Sequence, residues 1–153
     1  MPLPRFAAIR GHRSQVQALQ RLAQTDRFAH AWLFHGPAGV GKDTVAQAFL
    51  SRLACWGEAG PEPCGSCRSC AAAERGDHPD IQRLVRDGTQ IKIEQVRQAA
   101  ERLRYDPVVG RIKGVLVEDA DTLNEAAANA MLKTLEEPAS ATVFVMLTSK
   151  PQL

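Results

Sequence analysis

The feature that most constrains the fold of this chain is a glycine-rich loop between a short apolar segment and a helix. The loop covers residues 36–43 and has the sequence GPAGVGKD. It matches the phosphate-loop pattern G-x-x-x-x-G-K-[ST] except at the last position, which is Asp43. In that pattern, backbone N–H groups surround phosphates, the lysine reaches the outer phosphates, and the hydroxyl binds Mg²⁺. The loop predicts a nucleotide-binding fold, and Asp43 indicates that its metal binding is altered.

The residues on either side of the loop support this interpretation. Residues 31–35 predict a short buried strand, and Val45, Phe49 and Leu53 give the following helix an apolar face. Such a helix directs N–H groups and a positive dipole end at bound phosphate. Thr44 carries the nearest hydroxyl, but a helix turns about 100° per residue, so Thr44 should point away from the metal position. A loop retained only for its shape is the alternative. The candidate nucleotide-binding residues are Gly36, Gly39, Gly41, Lys42, Asp43 and Thr44.

The rest of the chain alternates predicted strands with predicted helices. Strands are predicted at 80–85, 115–117 and 142–148, and helices from Ser14 onward, at 93–103 and at 123–135. Ser14 and Gln17 have the spacing of a capping box at the start of the first helix. Residues 115–117 are continuously apolar, as in a parallel strand covered on both faces. The pattern predicts an α/β domain with a largely parallel sheet flanked by helices.

Length and composition indicate one soluble domain. The 153 residues are 44% hydrophobic and 24% charged, and the net charge of +2 is too small to indicate a nucleic-acid or membrane partner. The N-terminus has no signal-peptide pattern, and the apolar runs have the length of strands. We therefore expect a cytoplasmic protein that does not contact the membrane. Only five residues follow the strand predicted at 142–148, so we also expect the chain to be truncated.

Four cysteines lie close together and predict a metal site. They form two overlapping C-x-x-C units with a fourth cysteine upstream, and are Cys55, Cys64, Cys67 and Cys70. Four closely spaced thiolates suit tetrahedral Zn²⁺, and a site closed by four protein ligands is structural. His78 is a competing ligand. A disulfide framework is the weaker explanation in a chain with no export signal, and reduced cysteines without metal are the main alternative.

Acidic residues follow the strand predicted at 115–117. Glu118 and Asp119 stand where phosphate-loop enzymes place a carboxylate that holds Mg²⁺ or activates water. They are the candidate catalytic residues, with a solvated strand end as the alternative. Thr148 and Ser149, after the last predicted strand, are candidates for contact with a γ-phosphate or for a plain turn.

Together these motifs resemble the AAA+ (RecA-like) domain of bacterial DNA polymerase III clamp-loader subunits. The similarity rests on the loop, on the cysteine spacing, on the segment VLVEDAD at 115–121, and most specifically on AANAMLKTLEEP at 127–138. It covers nearly the whole chain. The resemblance implies one AAA+ domain over residues 1–153 with a zinc-binding insertion at 55–70. It also implies that the family's last core strand, lid and collar domains are absent from this chain.

Within that family, the altered loop and the order Glu118-Asp119 are closer to delta-prime subunits than to gamma/tau subunits. The resemblance implies a stator that assembles with gamma/tau and delta subunits and supports ATP-driven loading of the sliding clamp onto primer-template DNA. Its own ATP hydrolysis should be absent, which makes ATP and Mg²⁺ doubtful as cofactors. An ATP-hydrolysing gamma/tau-like subunit using Lys42, Thr44 and Glu118 or Asp119 is the alternative.

A zinc-dependent nucleic-acid binder unrelated to clamp loaders is the third hypothesis. Separately, because the assembled clamp loader encircles primer-template DNA, basic residues after the cysteine cluster are candidates for direct DNA contact, with scattered surface charge as the alternative. They are Arg97, Arg102, Arg104, Arg111 and Lys113.

Overall fold

The computed structural model describes residues 2–25, 27–58 and 60–150. Within them, the helices are α1 (Arg13–Ala23), α2 (Lys42–Ala54), α3 (Arg68–Arg75), α4 (Ile93–Arg102) and α5 (Glu125–Glu136). The strands are β1 (Ala31–His35), β2 (Ile81–Leu84), β3 (Lys113–Val117) and β4 (Thr142–Thr148). Short 3-10 helices lie at Phe6–Ala8 and Ala120–Thr122. The expectation about the end of the chain involves residues 151–153, which lie outside the described residues.

The strands form one parallel sheet in the order β1-β4-β3-β2. Phe34 of β1 pairs with Leu147 of β4, and Val115 of β3 pairs with Phe144 of β4. β3 is buried along its whole length, as its continuous apolar run predicts. Because all four strands run in the same direction, their carboxyl ends meet at one edge. The glycine loop after β1 and the acidic residues after β3 therefore lie at the same edge.

Helices cover both faces of the sheet, which confirms the predicted α/β class. On one face, Phe49 of α2 is fully buried, with its ring 5.2 Å from that of Trp32 and 6.3 Å from that of Phe34. On the other face, Val96 of α4 and Met131 of α5 pack in a second cluster against the sheet. Fully burying a side chain of this size contributes about 1.5–3 kcal/mol. The sheet is thus held between two apolar layers.

The predicted capping box at the start of α1 is wrong. The residue before α1 is His12, which has a left-handed conformation with φ of 52° and makes no side-chain cap. The Ser14 hydroxyl instead donates to Oε1 of the neighbouring Gln15. A cap of the expected type occurs on α5, where Oδ1 of Asn124 accepts the N–H of Ala127 at 2.8 Å. That cap explains why α5 begins at Glu125, two residues later than predicted.

No helix among the described residues is long and apolar enough to cross a membrane.

Candidate functional site

The glycine loop connects β1 to α2 and has the backbone that its sequence predicts. Gly39 and Gly41 have φ of 79° and 100°, in the left-handed region where a side chain is strained. Gly36 donates its N–H to the carbonyl of Thr148 at 3.2 Å, which fixes the start of the loop to the end of β4. The N–H of Val45 then bonds the carbonyl of Gly41, so α2 starts directly from the loop. The two positive-φ glycines are therefore required by the shape of the loop.

The lysine of the motif is engaged within the loop itself. Nζ of Lys42 donates to the carbonyl of Gly36 at 2.5 Å and to that of Pro37 at 3.0 Å. Both bonds close the loop around its own backbone. A phosphate that binds here must therefore compete for this ammonium group.

Asp43 and Thr44 lie on different sides of α2. The Asp43 carboxylate accepts from Nε2 of Gln47 at 2.7 Å and from Nη2 of Arg83 at 3.2 and 3.3 Å. Thr44 is exposed and lines a separate cavity together with Gly65. The hydroxyl nearest to the loop in sequence is thus not at the loop's own cavity, because one residue along a helix changes the direction of the side chain.

The acidic residues after β3 are both paired with arginines. Glu118 forms an ion pair with Arg83, and Oδ2 of Asp119 lies 3.3 Å from Nε of Arg86. The sequence analysis did not select either arginine. Arg83 lies inside the strand predicted at 80–85. A charged residue within a predicted strand was the one signal in the sequence that could have indicated it.

A cavity of about 410 Å³ joins these groups at the edge of the sheet. Its lining includes the glycine loop, Arg83, both acidic residues and the end of β4. Thr148 is buried, and its hydroxyl contacts Oδ1 of Asp121 at 3.4 Å and the carbonyl of Lys150 at 3.0 Å. Ser149 is exposed on the same cavity. Four of the candidate nucleotide residues therefore line this cavity, and Gly36 and Thr44 do not.

The four cysteines converge at the far end of α2. Their Sγ atoms all lie within 4.8 Å of one another, and none of the four forms a disulfide. The Sγ distances are 3.9 Å between Cys64 and Cys70 and 3.9 Å between Cys67 and Cys55. Zinc–sulfur bonds of about 2.3 Å in a tetrahedron require sulfur atoms about 3.8 Å apart. The spacing of the cluster therefore fits a metal ion of this kind.

Backbone N–H groups donate hydrogen bonds to the cysteine sulfur atoms, which favours their thiolate form. Sγ of Cys55 accepts the N–H groups of Gly57 and Cys64, each at 3.2 Å. The N–H of Ser66 lowers the pKa of Cys64 to about 6, whereas burial raises the pKa values of Cys55 and Cys70. A cation among the four sulfur atoms is what would let the buried pair ionise as well.

Gly57 and His78 are neighbours of the cysteine cluster but do not contribute ligands to it. A Cβ atom at Gly57 would overlap the Cβ of Cys64, so the turn after Cys55 requires glycine. His78 is not a fifth candidate ligand, because its Nε2 bonds the Ser69 hydroxyl at 2.8 Å and its Nδ1 accepts the N–H of Asp80 at 3.1 Å. The candidate metal ligands are therefore the four sulfur atoms.

Asp80 is a buried carboxylate that the sequence analysis did not select. Its oxygens accept the N–H groups of Val108, Val109 and Gly110 at 2.6, 2.8 and 2.7 Å. Burial raises the pKa of Asp80, but the three N–H groups lower it more, and the net pKa lies below its ordinary value. This carboxylate fixes the loop that leads into β3. Nothing in the local pattern of residues 77–80 indicated it, since the donors lie almost thirty residues away.

Comparison with known proteins identifies the family. A family model described as DNA polymerase III, delta subunit matches residues 11–153. The chain belongs to this family. The DNA polymerase III subunit delta' of Pseudomonas aeruginosa is 37% identical over 88% of the chain, and that of Bacillus subtilis is 36% identical over 90%. The DNA polymerase III subunit tau/gamma of Haemophilus influenzae is 36% identical over 96% of the chain.

These matches cover 42%, 41% and 21% of the three relatives, so the chain spans less than half the length of the curated relatives it matches. A crystal structure of a DNA polymerase III gamma subunit-related protein from Thermotoga maritima superposes with a TM-score of 0.65. It is 24% identical, and the match covers 88% of this chain and 39% of that one. This likeness shows the fold. The predicted relationship to DNA polymerase III subunits is confirmed.

In this DNA polymerase III delta-subunit family chain, several of the candidate DNA-contacting residues already have partners. Arg97 and Arg104 form ion pairs with the glutamates three residues before them on the chain. Lys113 is buried, and its Nζ donates to the carbonyl of Arg102 at 2.5 Å. The guanidinium of Arg111 lies 5.9 Å from the centre of the Trp56 ring. These contacts favour the interpretation of scattered structural and surface charge.

Proposed function

We propose that this chain is the AAA+ domain of a delta-prime-type subunit of a bacterial DNA polymerase III clamp loader. In this proposal it is a cytoplasmic protein that assembles with gamma/tau and delta subunits. It supports loading of the sliding clamp onto primer-template DNA and does not hydrolyse ATP itself. Primer-template DNA is a partner of the assembled complex. The proposal concerns a domain that matches less than half of each of these relatives.

The observation that carries the proposal is the position of the hydroxyl and carboxylate groups around the loop. Active phosphate-loop enzymes hold Mg²⁺ with a Ser or Thr hydroxyl after the lysine and with a carboxylate at a strand end. Here the residue after the loop lysine is Asp43, and the next residue, Thr44, lines a different cavity. A carboxylate beside bound phosphates repels them. The usual metal site therefore lacks its hydroxyl ligand.

The groups that would activate water are also engaged. A general base must be free to accept a proton from the attacking water. Glu118 is paired with Arg83 and Asp119 with Arg86, so a guanidinium group already contacts each candidate base. This arrangement supports a subunit without hydrolytic activity.

A gamma/tau-like ATPase is the second candidate, and one observation favours it. The loop retains Lys42 and both glycines with positive φ, so its shape is suited to phosphate. In that candidate, Lys42 binds the outer phosphates and Glu118 or Asp119 acts as the base. It requires both acidic residues to leave their arginine partners.

We also propose that Cys55, Cys64, Cys67 and Cys70 hold one structural zinc ion. The sulfur spacing supports this, as do the N–H groups directed at the sulfur atoms. When bound, zinc supplies a four-ligand cross-link and no open position for a substrate. Elemental analysis of the purified protein should find about one zinc per chain. A content far below that would refute this assignment.

Titration calorimetry with Mg·ATP and with metal-free ATP, together with a phosphate-release assay, tests the main proposal. We expect no Mg²⁺-dependent binding and no phosphate release. Asp43→Thr, which restores the hydroxyl, should gain little, because Glu118 and Asp119 stay paired. Micromolar binding of Mg·ATP with turnover, both lost in Lys42→Ala, would establish the ATPase alternative instead. Co-elution with gamma/tau and delta subunits of the same organism in size-exclusion chromatography tests the assembly.

A further inference from the structure

Arg83 occupies a position between the glycine loop and the strand-end carboxylate. It lies on β2, in register with Leu116 of β3. Its Nη2 atom contacts both carboxylate oxygens of Asp43 at 3.2 and 3.3 Å, and it also contacts Oε1 of Glu118. One guanidinium therefore bridges two carboxylates that come from α2 and from the end of β3.

The two carboxylates are the groups that correspond to metal ligands in an active loop. The residue after the loop lysine and the acidic residue at the strand end hold Mg²⁺ in phosphate-loop enzymes. In this chain those residues are Asp43 and Glu118, and the positive charge between them is Arg83. The guanidinium thus stands at the place where the metal is held in active members of the fold.

The charges around the bridge show what Arg83 does there. Without it, Asp43 and Glu118 would present two negative charges to the same cavity, and oxygen ligands of this kind attract hard divalent cations. Arg86 does not serve this purpose, because its contact is with Asp119. Lys42 does not serve it either, since its ammonium bonds the loop carbonyls. Among the described cations near the loop, Arg83 is the one that contacts both carboxylates.

We propose that Arg83 is a resident cation that replaces Mg²⁺ between Asp43 and Glu118 and keeps divalent metals out of the loop. The inference deepens the proposed function, because it names the residue that holds the loop without metal. It assigns a specificity-determining role to a side chain on β2, outside both the loop and the acidic segment. A fixed guanidinium satisfies both carboxylates with its own donors, so no metal is needed to neutralise them.

Mn²⁺ is a suitable probe, because free Mn²⁺ gives an electron paramagnetic resonance signal that is lost on binding. Titrations would use the full chain with zinc retained. Arg83→Met removes the charge and keeps much of the side-chain volume. We expect it to bind Mn²⁺ about tenfold or more tighter than the wild type, because a repelling charge is removed and two carboxylates become free.

Two matched variants separate exclusion of metal from a merely structural contact. Arg83→Lys keeps the charge and should stay within about threefold of the wild-type Mn²⁺ affinity. Arg86→Met removes a neighbouring cation whose ion pair among the described residues is with Asp119, and its Mn²⁺ affinity should also stay within about threefold of the wild type. If Arg83 only linked β2 to α2, its substitution would lower stability but would not raise the Mn²⁺ affinity of Arg83→Met above that of the two other variants.

The proposal is overturned if Arg83→Met binds Mn²⁺ no tighter than the wild type, or if Arg86→Met tightens binding equally. If Arg83→Met does not fold, comparison of the wild type with Glu118→Gln decides the question. Equal Mn²⁺ affinity of those two proteins supports exclusion, and tighter binding by the wild type overturns it. Because the readout is metal binding alone, this test can fail while assembly with clamp-loader subunits succeeds, and the reverse.

Discussion

Replacing the buried carboxylate of Asp80 by an amide should destabilise the domain by about 2 kcal/mol. Asp80 is 2% exposed, and its hydrogen bond with Gly110 is buried, whereas those with Val108 and Val109 are partly buried. Oδ1 accepts one N–H, from Val108, and Oδ2 accepts two, from Val109 and Gly110. In Asp80→Asn one of these positions becomes an NH₂ group, which cannot accept a hydrogen bond. The least costly arrangement leaves only the N–H of Val108 without a partner.

The magnitude follows from these contacts. The N–H of Val108 is only partly buried, so the loss of its acceptor costs about 1 kcal/mol, and each of the two remaining bonds weakens by about 1 kcal/mol when its acceptor loses its charge. The amide avoids the cost of burying a carboxylate, which offsets part of this loss. We therefore expect Asp80→Asn to lower the free energy of unfolding at pH 7 by about 2 kcal/mol.

The same contacts give the effect a pH dependence. The folded-state pKa of Asp80 lies below its ordinary value. The stability contributed by the ionised group is therefore present above the unfolded-state pKa of about 3.9 and is lost as pH falls through the folded-state pKa. The difference in unfolding free energy between the wild type and Asp80→Asn should have its largest value at pH 7 and should decrease below about pH 4.

Urea unfolding followed by circular dichroism measures this difference. Asp77→Asn is the matched control, because its side chain is 66% exposed and its one ion pair among the described residues is with Arg75. The control should change the free energy of unfolding by less than about 0.5 kcal/mol. A loss in Asp80→Asn as small as that of the control would refute the reasoning. A difference that stays constant down to acidic pH would refute the role of the charge.

Two further substitutions test local features of the fold. Gly57→Ala should reduce the zinc content and lower the melting temperature, because the added Cβ would overlap that of Cys64. Gly60→Ala should retain the metal, because its added Cβ would have its nearest atom 3.8 Å away. Equal zinc content in both variants would contradict this reasoning. Asn124→Ala should lower the free energy of unfolding by about 1 kcal/mol, because the α5 cap is lost. Ser14→Ala, at the position wrongly predicted as a cap, should lower it by less than about 0.5 kcal/mol. A larger loss of stability in Ser14→Ala than in Asn124→Ala would refute the observed caps.

Local patterns in the sequence were enough to predict the elements of the sheet. β1 and β4 begin and end at the residues predicted, because apolar runs of strand length are bounded by polar residues and glycine. The α1 boundary differs because a left-handed residue, His12, starts the helix where a hydroxyl cap was expected. α3 was not predicted, since it lies within the cysteine cluster and uses Sγ of Cys67 as its cap.

The candidate sites were predicted only in part, and the missing residues share one property. Loop and cysteine residues are close in sequence, so their spacing indicates their chemistry. Arg83 contacts Asp43 across 40 positions, and Asp80 contacts Val108 across 28. Each such residue acquires its role from a partner that only the folded chain brings near. A single arginine or aspartate in a strand pattern does not identify that partner.

α2 has a consequence for how the domain unfolds locally. Its 13 residues form a rod of about 20 Å, with the phosphate loop at one end and Cys55 at the other. Anchoring one end of a rigid helix restrains fraying at the other, because the intervening hydrogen bonds open cooperatively. Amide hydrogen exchange should therefore report the loop and the cysteine cluster as one opening unit. Removal of the zinc ion proposed for the cysteines should then speed exchange at the first turn of α2 as well as at its last.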